Sequence, residues 1–432
     1  MKRKSKKIVL KQPEKFKSQL LNWAQQFDVF IWLDSNNYHQ KYSSYDVVLA
    51  VEVHQNIKCD CSKSFGKLKA FQKNTNDYIF GYLGYDLKND LEDISSNNFD
   101  GIGFSDLYFF QPKKLFFIKD DIVETLYLTA HEDETECDIK EILSIKNYDP
   151  NRAKQNSFQI EQRISKEKYT QKLHAIMEHI HRGDIYEVNF CQEFYAENSK
   201  INPLGVYQKL NKISSPPFAT FLKINDKFLL SASPERFVKK EDNKIISQPI
   251  KGTARRLPDK NEDAYTAKKL YHDPKERAEN IMIVDLVRND LSKTATKGSV
   301  KVEELCKVYS FKQVHQLIST VVSETKTDQN PVDIVKSLFP MGSMTGAPKI
   351  SAMEIIEQQE ETKRGLYSGA VGYFTPDNDF DFNVVIRSIL HNSTKLYTSF
   401  IVGGAITSQS EIENEYEECM LKAKAMKKAL KN

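Results

Sequence analysis

Lys251 stands inside Pro249-Ile250-Lys251-Gly252-Thr253, directly after the apolar run that ends at Ile250. Proline fixes its own φ and glycine admits close approach of backbone or ligand, so the bracket restricts where this ammonium points. A lysine in a partly desolvated pocket loses its proton near neutral pH and becomes a nucleophile, whereas one in an ordinary turn is merely solvated. Two glutamate pairs add a second chemistry. Glu276 and Glu279 are three apart in one helical segment and Glu415 and Glu418 in another, so each pair shares a helix face. If the two faces meet they form a hard-oxygen site of the kind that binds Mg²⁺; if not, residues 411–418 are a solvated charged face. Lys422 follows Glu418 by one turn, the spacing of an i,i+4 salt bridge.

Arg387 closes the apolar run Asn383-Val384-Val385-Ile386, and its planar fork suits a carboxylate. Phe339 to Lys349, with Gly342, Thr345, Gly346 and Pro348, reads as a glycine turn opening a helix whose free amides attract an anion. It is no Walker A loop, because no Gly-Lys-Ser/Thr follows. Gly403-Gly404-Ala405-Ile406-Thr407 reads as a second glycine turn with amides for a carboxylate. His315 lies in an otherwise apolar stretch, where a hydrogen-bonded structural histidine is the usual outcome and an acid/base or orienting role the alternative.

The elements that must position these groups alternate. In the first 150 residues the runs Tyr45 to Val53, Tyr78 to Leu83 and Leu115 to Leu128 favour strands. Asp149 to Ser157 suits a linker. Lys166 to Gly183 carries Tyr169, Leu173, Ile176 and Ile180 at helical spacing. Strands are expected over Tyr186 to Phe194, Phe218 to Leu222, Lys227 to Ser231, Asn243 to Ile250, Gly369 to Phe374, Asp381 to Leu390 and Lys395 to Val402. Helices are expected over Glu262 to Tyr271, Lys275 to Leu291, Ile350 to Glu361 and from Glu411 onward. The mixture is α+β or mixed α/β.

The 432 residues include 62 basic and 59 acidic side chains, a net charge of +3 that argues against a nucleic-acid surface. Lys2, Arg3, Lys4, Lys6 and Lys7 crowd the start and read as a solvated tail. No secretory h-region follows them and no run approaches the roughly 18 apolar residues of a membrane span, so a cytoplasmic protein is expected. Six cysteines in so long a chain form no disulfide framework, and Cys59-Asp60-Cys61 is a poor zinc candidate without a second pair.

Ser231-Ala232-Ser233-Pro234-Glu235, the lysine bracket, Glu279 to Asp290 and Phe339 to Lys349, taken in this order, resemble the chorismate-utilising enzymes. The resemblance runs from about Ser165 to Lys427, with an echo in Phe80 to Asp86. It implies an α+β fold of two large antiparallel β-sheets packed as a sandwich with outer helices, an N-terminal β-rich region over 1–155 and a catalytic region over 156–432. It also implies Mg²⁺ held by Glu279, Glu415 and Glu418, with Glu276 just outside the ligand set. Substrate carboxylates would meet Arg387, flanked by Tyr367 and Tyr373, and Lys422. Thr345, Gly346, Gly403 and Gly404 would line the substrate, His315 would lie beside its ring, and Glu235 would be the general acid.

Members of this family differ in what attacks the ring. Those that use water carry a lysine where this chain has Glu187, and anthranilate synthases typically carry a small residue where it has Lys251. In the aminodeoxychorismate synthases that lysine is the nucleophile. By this resemblance Lys251 attacks C2 as the C4 hydroxyl departs, and ammonia then attacks C4 and expels the lysine from C2, giving 4-amino-4-deoxychorismate for para-aminobenzoate and folate synthesis. Burial, Mg²⁺ and Arg255 or Arg256 are expected to depress the lysine pKa. The alternatives are an anthranilate synthase component I, or a non-catalytic binder of chorismate-like ligands or tryptophan that regulates a partner. No cysteine sits in a Gly-rich nucleophile turn, so ammonia is expected from a separate glutamine amidotransferase subunit.

Overall fold

Antiparallel pairings join twenty strands into one continuous hydrogen-bonded sheet that doubles back on itself. The structure, a computed structural model, describes residues 2–38, 41–60, 62–146 and 156–431. From Glu187–Ala196 the pairing runs through Tyr397–Thr407, Ser388–Asn392, Lys227–Ser233, Phe218–Ile224 and Val29–Asp34 to Val47–Cys59. It continues through Leu107–Lys119, Ile79–Leu83, Ala370–Phe374, Phe380–Val384, Arg236–Glu241 and Lys244–Gln248 to Val314–Glu324. That last strand carries Ile250–Arg255 on the same edge as Lys244–Gln248 and Lys301–Ser310 on the other.

Val47–Cys59 and Leu107–Lys119 are 13 residues each and join the two layers. Between the layers, Val29, Ile31 and Val48 pack in one apolar cluster with Phe80, Tyr82, Val371 and Tyr373. Helices cover the outside, as the α+β sandwich requires. Helix Lys166–Arg182 shows why the chain folds so locally: Ser165 accepts a hydrogen bond from the Lys168 amide, four apolar residues share a buried face, and Gly183 ends it at φ 84°. With Cys419, Ala423 and Met426 of helix Ile412–Leu430, that face packs on Phe194 and Phe400.

Several expectations change. The basic start is the strand Arg3–Val9, paired with Ile122–Leu128. Arg3 is buried against Asp77 at 2.8 Å, while Lys4, Lys6 and Lys7 stay outside opposite Glu132, Glu136 and Glu124. Lysines on an outer strand keep it from pairing with other chains. The first 150 residues also hold the helices Pro13–Ala24, Ser64–Thr75 and Thr135–Ser144, the first begun by a proline and burying Phe16, Leu20, Leu21 and Trp23. The run Asp381 to Leu390 breaks at Arg387, whose φ is 50°. Most of the linker expected over Asp149 to Ser157, and Cys61, lie outside the described residues. No helix among the described residues is long and apolar enough to cross a membrane.

Removing one partner of a buried ion pair costs about 3–5 kcal/mol, whereas an exposed pair is worth about 0–1 kcal/mol. Arg3→Met is therefore expected to lower the free energy of chemical denaturation by several times as much as Lys6→Met, although both lie on one strand. Equal effects would reject the buried role of Arg3.

Candidate active site

Lys251 belongs to the strand Ile250–Arg255, and its register against Val314–Glu324 slips between Ile250 and Thr253. The slip is a bulge, and a bulge re-aims a side chain. Gly252 makes it possible: its φ is 88°, and a Cβ there would lie 3.0 Å from both Glu276 Oε2 and Leu317 Cδ1. The bracket is thus a bulged strand and not a turn. It directs Lys251 Nζ to 2.5 Å from Glu187 Oε1, at the start of the strand Glu187–Ala196. The two side chains are 10% and 1% exposed. Burial alone would pull the lysine pKa down, but the carboxylates of Glu187, Glu279 and Glu235 outweigh it and leave it above the ordinary value. The expected depression is therefore reversed, because the counter-charges are carboxylates at close range.

Glu235 sits between the strands Lys227–Ser233 and Arg236–Glu241 and is buried. Burial pushes its carboxyl up to about 7, against the opposing pull of the Ser343 hydroxyl, which donates to Oε1 at 2.6 Å, and of Lys251 and Arg387. A carboxyl poised there gives up a proton near neutral pH, as a general acid must. Arg387 faces the same ground. Burial holds its pKa down, and its guanidinium makes no hydrogen bond or ion pair among the described residues. A half-buried guanidinium with its donors uncommitted has the geometry to receive a carboxylate.

The glutamate faces do converge. Helix Pro274–Ser292 brings Glu276 and Glu279, and helix Ile412–Leu430 brings Glu415 and Glu418. Burial pushes Glu279 up to about 7, and Glu276 is raised by burial and by the Glu418 charge. Glu415 is raised by burial, with Lys275 3.9 Å away. Lys422, at 2.6 Å, holds Glu418 below its ordinary value. As the side chains stand, no three His, Cys, Asp or Glu residues among those described are grouped closely enough to hold an ion.

The glycines act differently from expectation. Gly403 and Gly404 are not in a turn but inside the strand Tyr397–Thr407, opposite Cys191 and Phe190, and Ala405 continues that strand opposite Asn189. Gly403 gives clearance, since a Cβ there would strike Cys191 Sγ and Asn189 Oδ1, and its carbonyl accepts a hydrogen bond from Lys422 Nζ at 3.0 Å; a Cβ on Gly404 would make only an ordinary contact, 3.5 Å from Glu415 Oε2. Gly346 pairs with Val188, and a Cβ there would strike the Glu187 carbonyl oxygen at 2.1 Å. Thr345 is fully buried and its hydroxyl is spent on Met341 and Gly342 carbonyls.

Tyr367 is buried with its hydroxyl 3.7 Å from Cys191 Sγ, while Tyr373 stacks on Phe80 between the sheet layers as a core residue. His315 has both ring nitrogens engaged, Nε2 with Asp263 at 2.9 Å and Nδ1 with Ser310 at 2.8 Å. Asp263 also binds Arg256, so the histidine ties helix Lys260–His272 to the sheet. Sequence reasoning missed Ser343, Asp263 and the partnership of Glu187 with Lys251. Only Glu187 carried a signal, an acid opening a strand that holds Val188, Phe190 and Phe194.

A family model for chorismate binding enzymes matches residues 28–428. The chain belongs to that family. Aminodeoxychorismate synthase component 1 of Escherichia coli K12 is 39% identical over 267 residues, covering 62% of this chain and 58% of that protein. Anthranilate synthase component 1 of Acetivibrio thermocellus is 33% identical over 373 residues, covering 81% and 74%. The crystal structure of anthranilate synthase component I from Streptococcus pneumoniae TIGR4 superposes with a TM-score of 0.78 at 25% identity, over 90% of this chain and 93% of that one. The chain thus spans somewhat more than half the length of the Escherichia coli relative.

The Glu235 carboxyl has a folded pKa raised to about 7 from 4.5, so its neutral form is what the fold favours. Its contribution to stability is whole below the unfolded pKa and is lost as pH rises through about 7. The free energy of chemical denaturation of the wild type is expected to fall from pH 5 to pH 8 by a component of order 1–3 kcal/mol that Glu235→Gln removes. An unchanged pH slope in the variant would show that Glu235 ionises without cost.

Proposed function

We propose that the chain converts chorismate and ammonia to 4-amino-4-deoxychorismate. The observation that carries this reading is the buried, bulge-directed Lys251 in a pocket shared with the acid Glu235 and the unpaired Arg387. Lys251 Nζ attacks C2 of the ring while Glu235 protonates the departing C4 hydroxyl, and ammonia then adds at C4 and expels the lysine. This divides one hard substitution into two easier ones. Arg387 takes the enolpyruvyl carboxylate and Lys422 a second substrate carboxylate, with Tyr367, Thr345, Gly346, Gly403 and Gly404 shaping the walls. His315, held by Asp263 and Ser310, orients the bracket strand, with which its own strand pairs.

The family implies Mg²⁺, and the donor set fits it: hard carboxylates with raised pKa values crowd one another from two helices. Glu279, Glu415 and Glu418 would hold the ion, Lys275 and Lys422 giving up their present contacts. When bound, Mg²⁺ supplies charge for the ring carboxylate and fixes its orientation. Ammonia comes from a separate glutamine amidotransferase; the "component 1" in the names of the relatives supports a second component.

The second reading, anthranilate synthesis, has in its favour the Acetivibrio relative's name. Product identity separates the two. With chorismate and Mg²⁺ but no ammonia, the peptide bearing Lys251 is expected to gain a ring-sized mass, which ammonia discharges as aminodeoxychorismate. Lys251→Ala should lose both the adduct and most of the C4-aminated product. Anthranilate as the wild-type product would reject the assignment.

Glu418→Gln is expected to abolish turnover and leave the circular dichroism unchanged, and EDTA should stop the wild type; EDTA-insensitive turnover would rule the metal out. The isolated chain should use ammonium salts at alkaline pH but not glutamine. Turnover of glutamine by the pure chain would exclude the separate subunit.

A further inference from the structure

The contact between Lys251 and Glu187 bears on how the nucleophile is armed. An amine attacks through its lone pair, and an ammonium has none. Lys251 holds its proton more firmly than a free lysine because carboxylates surround it. Something in the pocket must therefore remove that proton before attack. The charged groups facing Nζ are Glu187, Glu235, Glu276, Glu279 and Glu418. Of these, only Glu187 is in hydrogen-bond contact with it.

Glu235 is already committed to the Ser343 hydroxyl, and as the acid for the leaving group it must enter the reaction carrying a proton of its own. Glu276, Glu279 and Glu418 lie on helices beyond hydrogen-bond reach of Nζ. Glu187 is 1% exposed, touches Nζ through Oε1 at 2.5 Å, and has Oε2 buried without a hydrogen-bond partner among the described residues. A carboxylate so poorly supported by other donors has one interaction holding its charge, the ammonium itself. Moving one proton from Nζ to the carboxylate turns two buried charges into two neutral groups, which removes their desolvation cost in exchange for their mutual attraction.

We propose that Glu187 is the general base for Lys251. This rests on the covalent reading given above. The N–H bond of the ammonium breaks, its proton passes to Glu187, and the freed lone pair forms the bond from Nζ to C2. The two ring double bonds shift as the C4–O bond breaks, and the hydroxyl takes the Glu235 proton and leaves as water. When ammonia has added at C4 and Nζ leaves as a neutral amine, protonated Glu187 returns its proton to Lys251. The new C4 ammonium gives one to Glu235. The resting pair is restored and the sum is chorismate plus ammonia to aminodeoxychorismate plus water.

The test follows the Lys251 adduct by mass spectrometry in a single turnover with chorismate and Mg²⁺ and no ammonia. Glu187→Gln keeps the volume and still accepts a hydrogen bond, but takes no proton. It is expected to slow adduct formation by at least about 100-fold, the usual scale of general-base catalysis. Chorismate affinity should stay within about threefold. Glu187→Ala leaves a hole beside Nζ, and added formate should restore adduct formation in a saturable way, which a purely structural carboxylate would not allow. An adduct formed by Glu187→Gln at the wild-type rate or faster would overturn the proposal, because Glu187 would then only hold the ammonium charge; failure of formate to rescue Glu187→Ala would count equally against it. A wild type that turns over chorismate without any Lys251 adduct would instead bring down the covalent reading, and the role of Glu187 with it.

Discussion

An ammonium ion buried between sheet and helices is the constraint around which the rest of this pocket is arranged. Taking one charge out of water costs several kcal/mol even after relaxation, so a buried lysine needs carboxylates at close range. Lys251 obtains them from three separate stretches of chain: Glu187 from one layer of the sheet, Glu235 from the other, and Glu279 from an outer helix. Each must arrive at a set place. The bulge at Gly252, the pairing of Gly346 and Ala347 with Val188 and Glu187, and the antiparallel register of Glu187–Ala196 with Tyr397–Thr407 supply those places. Gly252 serves this purpose by clearance as well, since a Cβ there would crowd Glu276.

What the sequence revealed and what it hid divide along contact distance. Features with a local period were legible: the helix from Lys166 to Gly183, the two glutamate faces three residues apart, and the rigid surroundings of Lys251. Features that depend on distant partners were not. Nothing in Lys2 to Lys7 shows that Arg3 finds Asp77, so a strand read as a tail. Gly403 and Gly404 look like a turn because glycine pairs often are one, yet the partner strand imposes an extended run through them. The sign of the Lys251 shift was misjudged for the same reason. Burial and nearby cations were foreseeable from neighbours in sequence, whereas Glu187 lies 64 residues away.

The two carboxyls nearest the proposed chemistry differ in what supports them, and that difference assigns their work. Burial pushes Glu235 towards its protonated form against the pull of the Ser343 hydroxyl, so it is suited to give a proton. Glu187 receives an ammonium and has no other donor on Oε2, so it is suited to take one. Environments that separate two acids in this way are the mark of a site running acid and base steps at one pH. The glutamates of the two helices form a third group, in which burial raises Glu276, Glu279 and Glu415 while Lys422 holds Glu418 down. Glu279 belongs to both parts of the pocket: it is one of the carboxylates that hold the Lys251 proton and one of the residues proposed for Mg²⁺, so a cation bound there would loosen that proton.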